Sequence, residues 1–148
     1  MSIAPSVANV LRHKGNAVIS VRPDTTAGDA ARLLAGHGIG ALLVRDGAGG
    51  ILGLLSEADI VRAVAVRPRG VAGLDVAALM LRDPVLVGPD TSIPAAIELL
   101  ADGAQRHLPV VDGGGVLVGI LGLADLVHHR GATDGDRRSA ARPPVRLH

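Results

Sequence analysis

Ser56-Glu57-Ala58-Asp59 sets a hydroxyl and a carboxylate three residues apart, directly after the apolar stretch 51–55. At that spacing the two groups meet over the first turn of a helix, and two chemistries follow. In a capping box the serine oxygen accepts a hydrogen bond from a first-turn N–H, and the acid three residues on reaches back. In a ligand site the same free N–H groups attract a phosphate, and the hydroxyl adds a donor. An ionised aspartate accepts two hydrogen bonds, so it can grip both hydroxyls of a ribose. The two readings do not exclude each other.

Other constellations are weaker. His128 and His129 are neighbours on an expected helix and point apart, so they make poor joint ligands. Ser56, His107 and Asp59 are the residue types of a hydrolase triad, but no nucleophile elbow surrounds the serine. The glycine runs 47–50 and 113–115 lack the lysine and following helix of a phosphate loop and read as turns. Cysteine is absent, which removes disulfides, thiolate metal sites and a thiol nucleophile. No catalytic residue and no metal site are expected.

The elements that must position Ser56 and Asp59 occur twice. Pro23-Asp24-Thr25 answers to Pro89-Asp90-Thr91, Leu33-Leu34-Ala35 to Leu99-Leu100-Ala101, Gly53 to Gly119, and Ala58-Asp59 to Ala124-Asp125, always 66 residues on. A repeat of this kind is one supersecondary unit used twice. In the first copy, 18–21 reads as a strand, and Asp24 or Thr25 as the cap of a helix whose face holds Ala27, Ala30, Ala31 and Leu34. Residues 41–44 read as a strand covered on both faces, 46–50 as a hairpin loop, 51–55 as the return strand, and Ser56 opens a helix to about Val66. The second copy repeats this with a strand over 84–87, a helix over 91–101, strands over 108–111 and 116–121, and a helix over 123–129. Residues 68–73 read as a linker, and 76–80 as a short helix leading into copy two, with 7–11 as its counterpart before copy one.

Composition bounds the rest. The 148 residues contain 48% apolar residues and no Phe, Tyr or Trp, so Val, Leu, Ile and Ala must build the core. These bury less area per side chain than rings do. Packing copy on copy, and chain on chain as a homodimer, offsets that shortage, in keeping with a positive mean hydropathy of +0.39. No stretch reaches the roughly 18 apolar residues of a membrane span, and the N-terminus lacks a secretory pattern; a cytoplasmic location is expected. Lys14 is the sole lysine. The segment 130–148 holds five of the 15 basic and two of the 14 acidic residues, leaving 10 basic and 12 acidic in the body. A body of that balance argues against nucleic acid. The polar, Pro- and Arg-rich segment 131–148 is expected to be a disordered tail.

The doubled β-α-β-β-α unit resembles the CBS motif, named after cystathionine β-synthase. Residues 76–85, VAALMLRDPV, resemble the usual lead into such a motif; Arg106-His107-Leu108-Pro109-Val110-Val111-Asp112 resembles its central strand; and Gly53-Leu54-Leu55-Ser56-Glu57-Ala58-Asp59-Ile60 resembles its closing strand and helix start. The resemblance implies an α+β fold of two CBS motifs, 5–67 and 74–130, packed as a pseudo-two-fold pair, a stand-alone Bateman module.

It also implies a function. The serine and aspartate are the family's usual phosphate and ribose contacts, and each cleft mixes copies. One cleft would join Ser56 and Asp59 to Val85, Leu86, Gln105, Arg106 and His107, with backbone of Val85 and Leu86 reading an adenine edge and Arg106 or His107 meeting phosphates. The other would join Asp125 to Ile19, Ser20, Ile39 and Gly40. Gly122 replaces the serine there, and Gly40 and Ala41 replace Arg106 and His107, so the Asp59 cleft is expected to be the stronger. The expectation is a non-enzymatic sensor binding AMP, ADP, ATP or S-adenosylmethionine and signalling to a separate protein effector. The alternative is a structural or protein-interaction CBS dimer with degenerate sites.

Overall fold

The computed structural model describes residues 5–15 and 17–133. Helix α1 (Val7–Lys14) precedes copy one, which contains β1 (Ser20–Val21), α2 (Ala27–His37), β2 (Ala41–Arg45), β3 (Ile51–Ser56) and α3 (Glu57–Val66). Two short 3-10 turns, Val71–Gly73 and Val76–Ala78, and strand β4 (Leu81–Arg82) lead to copy two, with α4 (Ile93–Leu99), β5 (His107–Val111), β6 (Leu117–Gly122) and α5 (Leu123–Thr133). The fold is α+β. Helix α5 runs three residues into the expected tail, and 134–148 lie outside the described residues.

Local chemistry explains the boundaries. Thr26, rather than Asp24 or Thr25, caps α2: its hydroxyl oxygen accepts from the Asp29 N–H at 3.2 Å. The Thr25 hydroxyl is engaged by the Arg22 N–H instead. Gly38 ends α2 in the left-handed region, at φ 63°. The hairpins β2–β3 and β5–β6 are built alike. The Asp46 carboxylate accepts the N–H groups of Ala48 and Gly50, and that of Asp112 accepts those of Gly114 and Val116.

Strands β1-β2-β3-β4 form one sheet, with β1 parallel to β2 and the other pairs antiparallel; β5 and β6 form the second. The strand expected over 84–87 is reduced to one parallel bridge, Val87 to Val110. Pro84 has no N–H to give a ladder, and both backbone groups of Val85 are taken by the Gln105 side chain.

The segments that lead into the copies are exchanged. The N–H groups of Val7 and Ala8 donate to the carbonyls of Thr91 and Pro89 in copy two, as those of Val76 and Ala77 donate to Thr25 and Pro23 in copy one. Val7, Val10 and Leu11 are accordingly buried with Ile93, Ala96, Leu108, Val110, Leu121 and Leu126. Val76, Leu79 and Met80 pack with Val21, Ala30, Leu34, Leu42, Val44 and Leu55. A third cluster joins the sheets, with Leu43 and Leu54 of one against Ile120 of the other. Each Val, Leu or Ile among them that is fully taken from water contributes about 1.5–3 kcal/mol. No helix among the described residues is long and apolar enough to cross a membrane.

The exchange is symmetric only up to Leu11 and its counterpart Met80. Beyond Met80 the chain forms β4 and pairs with β3, whereas beyond Leu11 the helix continues to Lys14.

Candidate functional site

Strand β3 delivers Ser56 to the start of α3, and the capping box forms in full. The Asp59 N–H donates to Ser56 Oγ at 3.3 Å, and Asp59 Oδ2 accepts from the Ser56 N–H at 2.8 Å and its hydroxyl at 3.1 Å. Arg62, one turn on, donates to the other oxygen, Oδ1, at 3.1 Å. The carboxylate thus sits at the positive end of a helix, held by partners within three residues.

This helix start faces copy two across two adjoining cavities. The larger, of ≈ 440 Å³, has Gly40, Ser56, Glu57 and Ala58 on one side and Leu100, Gln105, Arg106, His107 and Leu123 on the other. The smaller, of ≈ 200 Å³, is lined by Asp59, Arg62, residues 79–81 and Arg106, among others. Ser56, Gln105 and Arg106 border both. Of the residues expected for the first cleft, the structure therefore brings together Ser56, Asp59, Gln105, Arg106 and His107. Val85 and Leu86 line neither cavity.

Two of these residues bond to each other. Gln105 is buried, and its amide is fully engaged: Oε1 accepts from the Val85 N–H, and Nε2 donates to the carbonyls of Val85 and His107, all within 2.9 Å. It fixes the strand entrance. The Val85 N–H and carbonyl are both bonded to that amide. Arg106 differs, having no carboxylate partner within ion-pair distance among the described residues.

His107 is half-buried between two glycines. A Cβ on Gly40 would lie 2.9 Å from its Nε2, and one on Gly122 3.2 Å from its Cδ2. Its Nδ1 is buried without a hydrogen-bond partner. Burial pushes the ring's pKa below its ordinary value; Lys14 and Arg106 act in the same direction, while Asp125 and Asp59 oppose them.

Gly40 borders the first cavity, beside His107 and Ser56. Ile19 and Ile39 pack against the core of copy one. Ser20 lies on β1, over an open depression with Arg22 and Arg32. Asp125 Oδ2 accepts from the Gly122 N–H at 2.8 Å and from Lys14 Nζ at 2.9 Å. No local pattern links Lys14 to Asp125, because 111 residues separate them; its being the sole lysine is the one signal in the sequence. Arg62, one helical turn beyond Asp59, was legible from spacing alone. No three His, Asp or Glu side chains converge as a metal-binding group among the described residues.

These features agree with comparisons to known proteins. The CBS domain family matches residues 9–66 and 76–131. This chain belongs to that family, as a tandem pair. An uncharacterised 17.7 kDa protein of Acidianus ambivalens is 32% identical over 109 residues, 74% of this chain and 65% of that protein. The chain thus spans less than two thirds of that relative, and 20% of a longer Arabidopsis thaliana CBS domain-containing protein that is 31% identical over 110 residues. Among solved structures, a CBS-domain containing protein from Agrobacterium tumefaciens superposes with a TM-score of 0.81 at 34% identity, covering 88% of this chain and 96% of that one. CBSX2 in complex with AMP superposes with a TM-score of 0.64 at 26% identity, covering 88% and 94%.

Proposed function

We propose that this chain is a non-enzymatic regulatory module that binds an adenosine-containing ligand between its two CBS motifs. The observation that carries the reading is the facing of Ser56 and Asp59, at the start of α3, with Arg106 across the shared border of the two cavities. Helix N–H groups and Arg106 suit phosphate oxygens, and the Asp59 carboxylate suits a ribose diol once Arg62 swings aside. Without aromatic residues, adenine would rest on aliphatic side chains such as Leu100 and Leu123. The AMP bound by CBSX2 supports this ligand class. Ligand that prefers one arrangement of the motifs shifts the population toward it, and that shift is the output to a separate effector.

Oligomerisation belongs to the same reading. Val61 and Val66 on α3 are 67% and 81% exposed, and Val127 on α5, the repeat counterpart of Val61, is exposed as well. A two-fold homodimer would cover these faces.

A thermal-shift panel of AMP, ADP, ATP, S-adenosylmethionine and NAD tests the ligand. Binding to the folded state alone adds RT ln(1 + [L]/Kd), about 2.7 kcal/mol at 100 times Kd. At least one adenosine compound is expected to raise Tm clearly. A flat panel on protein free of carried-over ligand favours the second reading, an interaction module with degenerate clefts, to which Gly122 and the pairing of Asp125 with Lys14 lend support.

A further inference from the structure

Lys14 stands against Asp125, the aspartate expected to serve the second cleft. Its ammonium donates to Asp125 Oδ2 and to the Ile120 carbonyl, both at 2.9 Å. The geometry repeats that of copy one with one substitution. Asp59 Oδ2 is held by the Ser56 N–H and the Ser56 hydroxyl; Asp125 Oδ2 is held by the Gly122 N–H and the Lys14 ammonium. The ammonium donates to Asp125 Oδ2 as the serine hydroxyl donates to Asp59 Oδ2. It comes from the far end of the chain, carried by the last turn of α1. The matching segment after Met80 forms β4 instead, so copy one receives no such cation.

We propose that Lys14 is a built-in occupant of the second cleft, restricting each chain to one nucleotide at the Asp59 cleft. The inference rests on the proposed ligand class and adds the number of sites. Two features separate the clefts. Asp59 is held by partners on its own helix or just before it, and Arg62, 64% exposed and with no second anchor among the described residues, can swing into solvent. Asp125 is held by a residue of a different element that is also anchored on the Ile120 carbonyl, so the ammonium is tied beside the carboxylate at two points. Two of the three ammonium donors are committed to a carboxylate and a carbonyl, whereas Arg106 has no carboxylate partner among the described residues.

The test is the binding stoichiometry of AMP, measured by calorimetry on the full chain. Wild type is expected to bind one equivalent per chain. Lys14→Met, which keeps the apolar stem and removes the ammonium, is expected to bind two; adding Asp59→Ala to Lys14→Met should return the count to one. A count of one in Lys14→Met overturns the proposal, as does loss of all binding there, which would make Lys14 a ligand contact. Should wild type bind nothing and Lys14→Met one equivalent, the occupant stands and the Asp59 reading fails. No binding in either overturns both. The sole lysine gives a second readout: in lysine-labelled protein its one ε-CH2 resonance should shift on Asp125→Asn and stay in place on adding AMP to wild type. A shift with AMP alone overturns the proposal.

Discussion

His107 and Gly122 face each other across β5 and β6, in the register position where Ala41 and Ser56 face each other across β2 and β3. The small–polar pair of copy one has become a large–absent pair in copy two. The missing serine is therefore a packing consequence as well as a loss of a ligand group, because the imidazole occupies the room its side chain would need. Gly122→Ser would set a Cβ 3.2 Å from the ring, which Gly40 confines on the other side. Overpacking of this kind costs about 1–3 kcal/mol. In a His107→Ala background the same substitution is expected to be nearly neutral, so a denaturation double-mutant cycle should show a coupling of about 1 kcal/mol or more. Additive effects would mean that the ring has space to move.

The two glycines under the exchanged segments should differ in tolerance. A Cβ on Gly119 would meet only the end of the Leu11 side chain, which can rotate. One on Gly53 would meet Met80 and also the Leu81 carbonyl, at 2.8 Å, and that carbonyl belongs to the β4 backbone. Gly53→Ala is expected to destabilise by about 2–3 kcal/mol, and Gly119→Ala by about half as much. Urea midpoints of the two variants against wild type decide it.

What the sequence showed and what it hid follow from the same geometry. Local chemistry was legible: the Ser56–Asp59 box, the glycine hairpins and the buried strand at 41–44 depend on neighbours within a few residues. The 66-residue offset announced the pair. The exchange of leading segments was not legible, because adjacency in sequence assigns α1 to copy one while its bonds go to Thr91 and Pro89. Gln105 is a ligand contact by family resemblance, and only the fold shows its amide bonded to the Val85 backbone. The pairing of Lys14 with Asp125 needed both the exchange and the extra helical turn, and no local pattern encodes either.

Acid should weaken the fold through His107. Burial, Lys14 and Arg106 hold its folded pKa below 6.5, so near and below that pH the unfolded chain binds the proton more readily. Stability then falls as pH drops through 6.5 and stops falling only below the lowered folded value. His129 is shifted in the same direction, so the comparison must isolate His107. The loss of Tm between pH 8 and pH 5 is expected to be larger for wild type than for His107→Asn. Equal losses would show that the imidazole titrates as it does in the unfolded chain.

If α3 packs against its counterpart in a second chain, a charge on its exposed face should separate the copies. Val61 is largely exposed, so Val61→Glu is expected to change the unfolding free energy of the monomer by no more than about 0.5 kcal/mol. Light scattering on wild type should give twice the 14.9 kDa chain mass, and the variant a mass near that of one chain. A wild-type monomer would sink the homodimer reading.

The two aspartates should rank unequally in ligand binding. Asp59 borders a cavity that Arg106 completes, and its present partners are the capping serine and an exposed arginine. Asp125 is engaged by Lys14 from another element. Asp59→Ala is therefore expected to abolish AMP binding, and Asp125→Ala to change it less than about threefold. Removing Asp59 also removes half of a capping box, at a cost of about 1 kcal/mol to α3. Affinity must then be read by calorimetry well below Tm, so that lost stability is not mistaken for lost contact. Asp59→Asn, which retains one acceptor and the side-chain volume, should fall between wild type and Asp59→Ala. The opposite ranking of the two aspartates would move the functional cleft to the side of Asp125 and make Lys14 part of it.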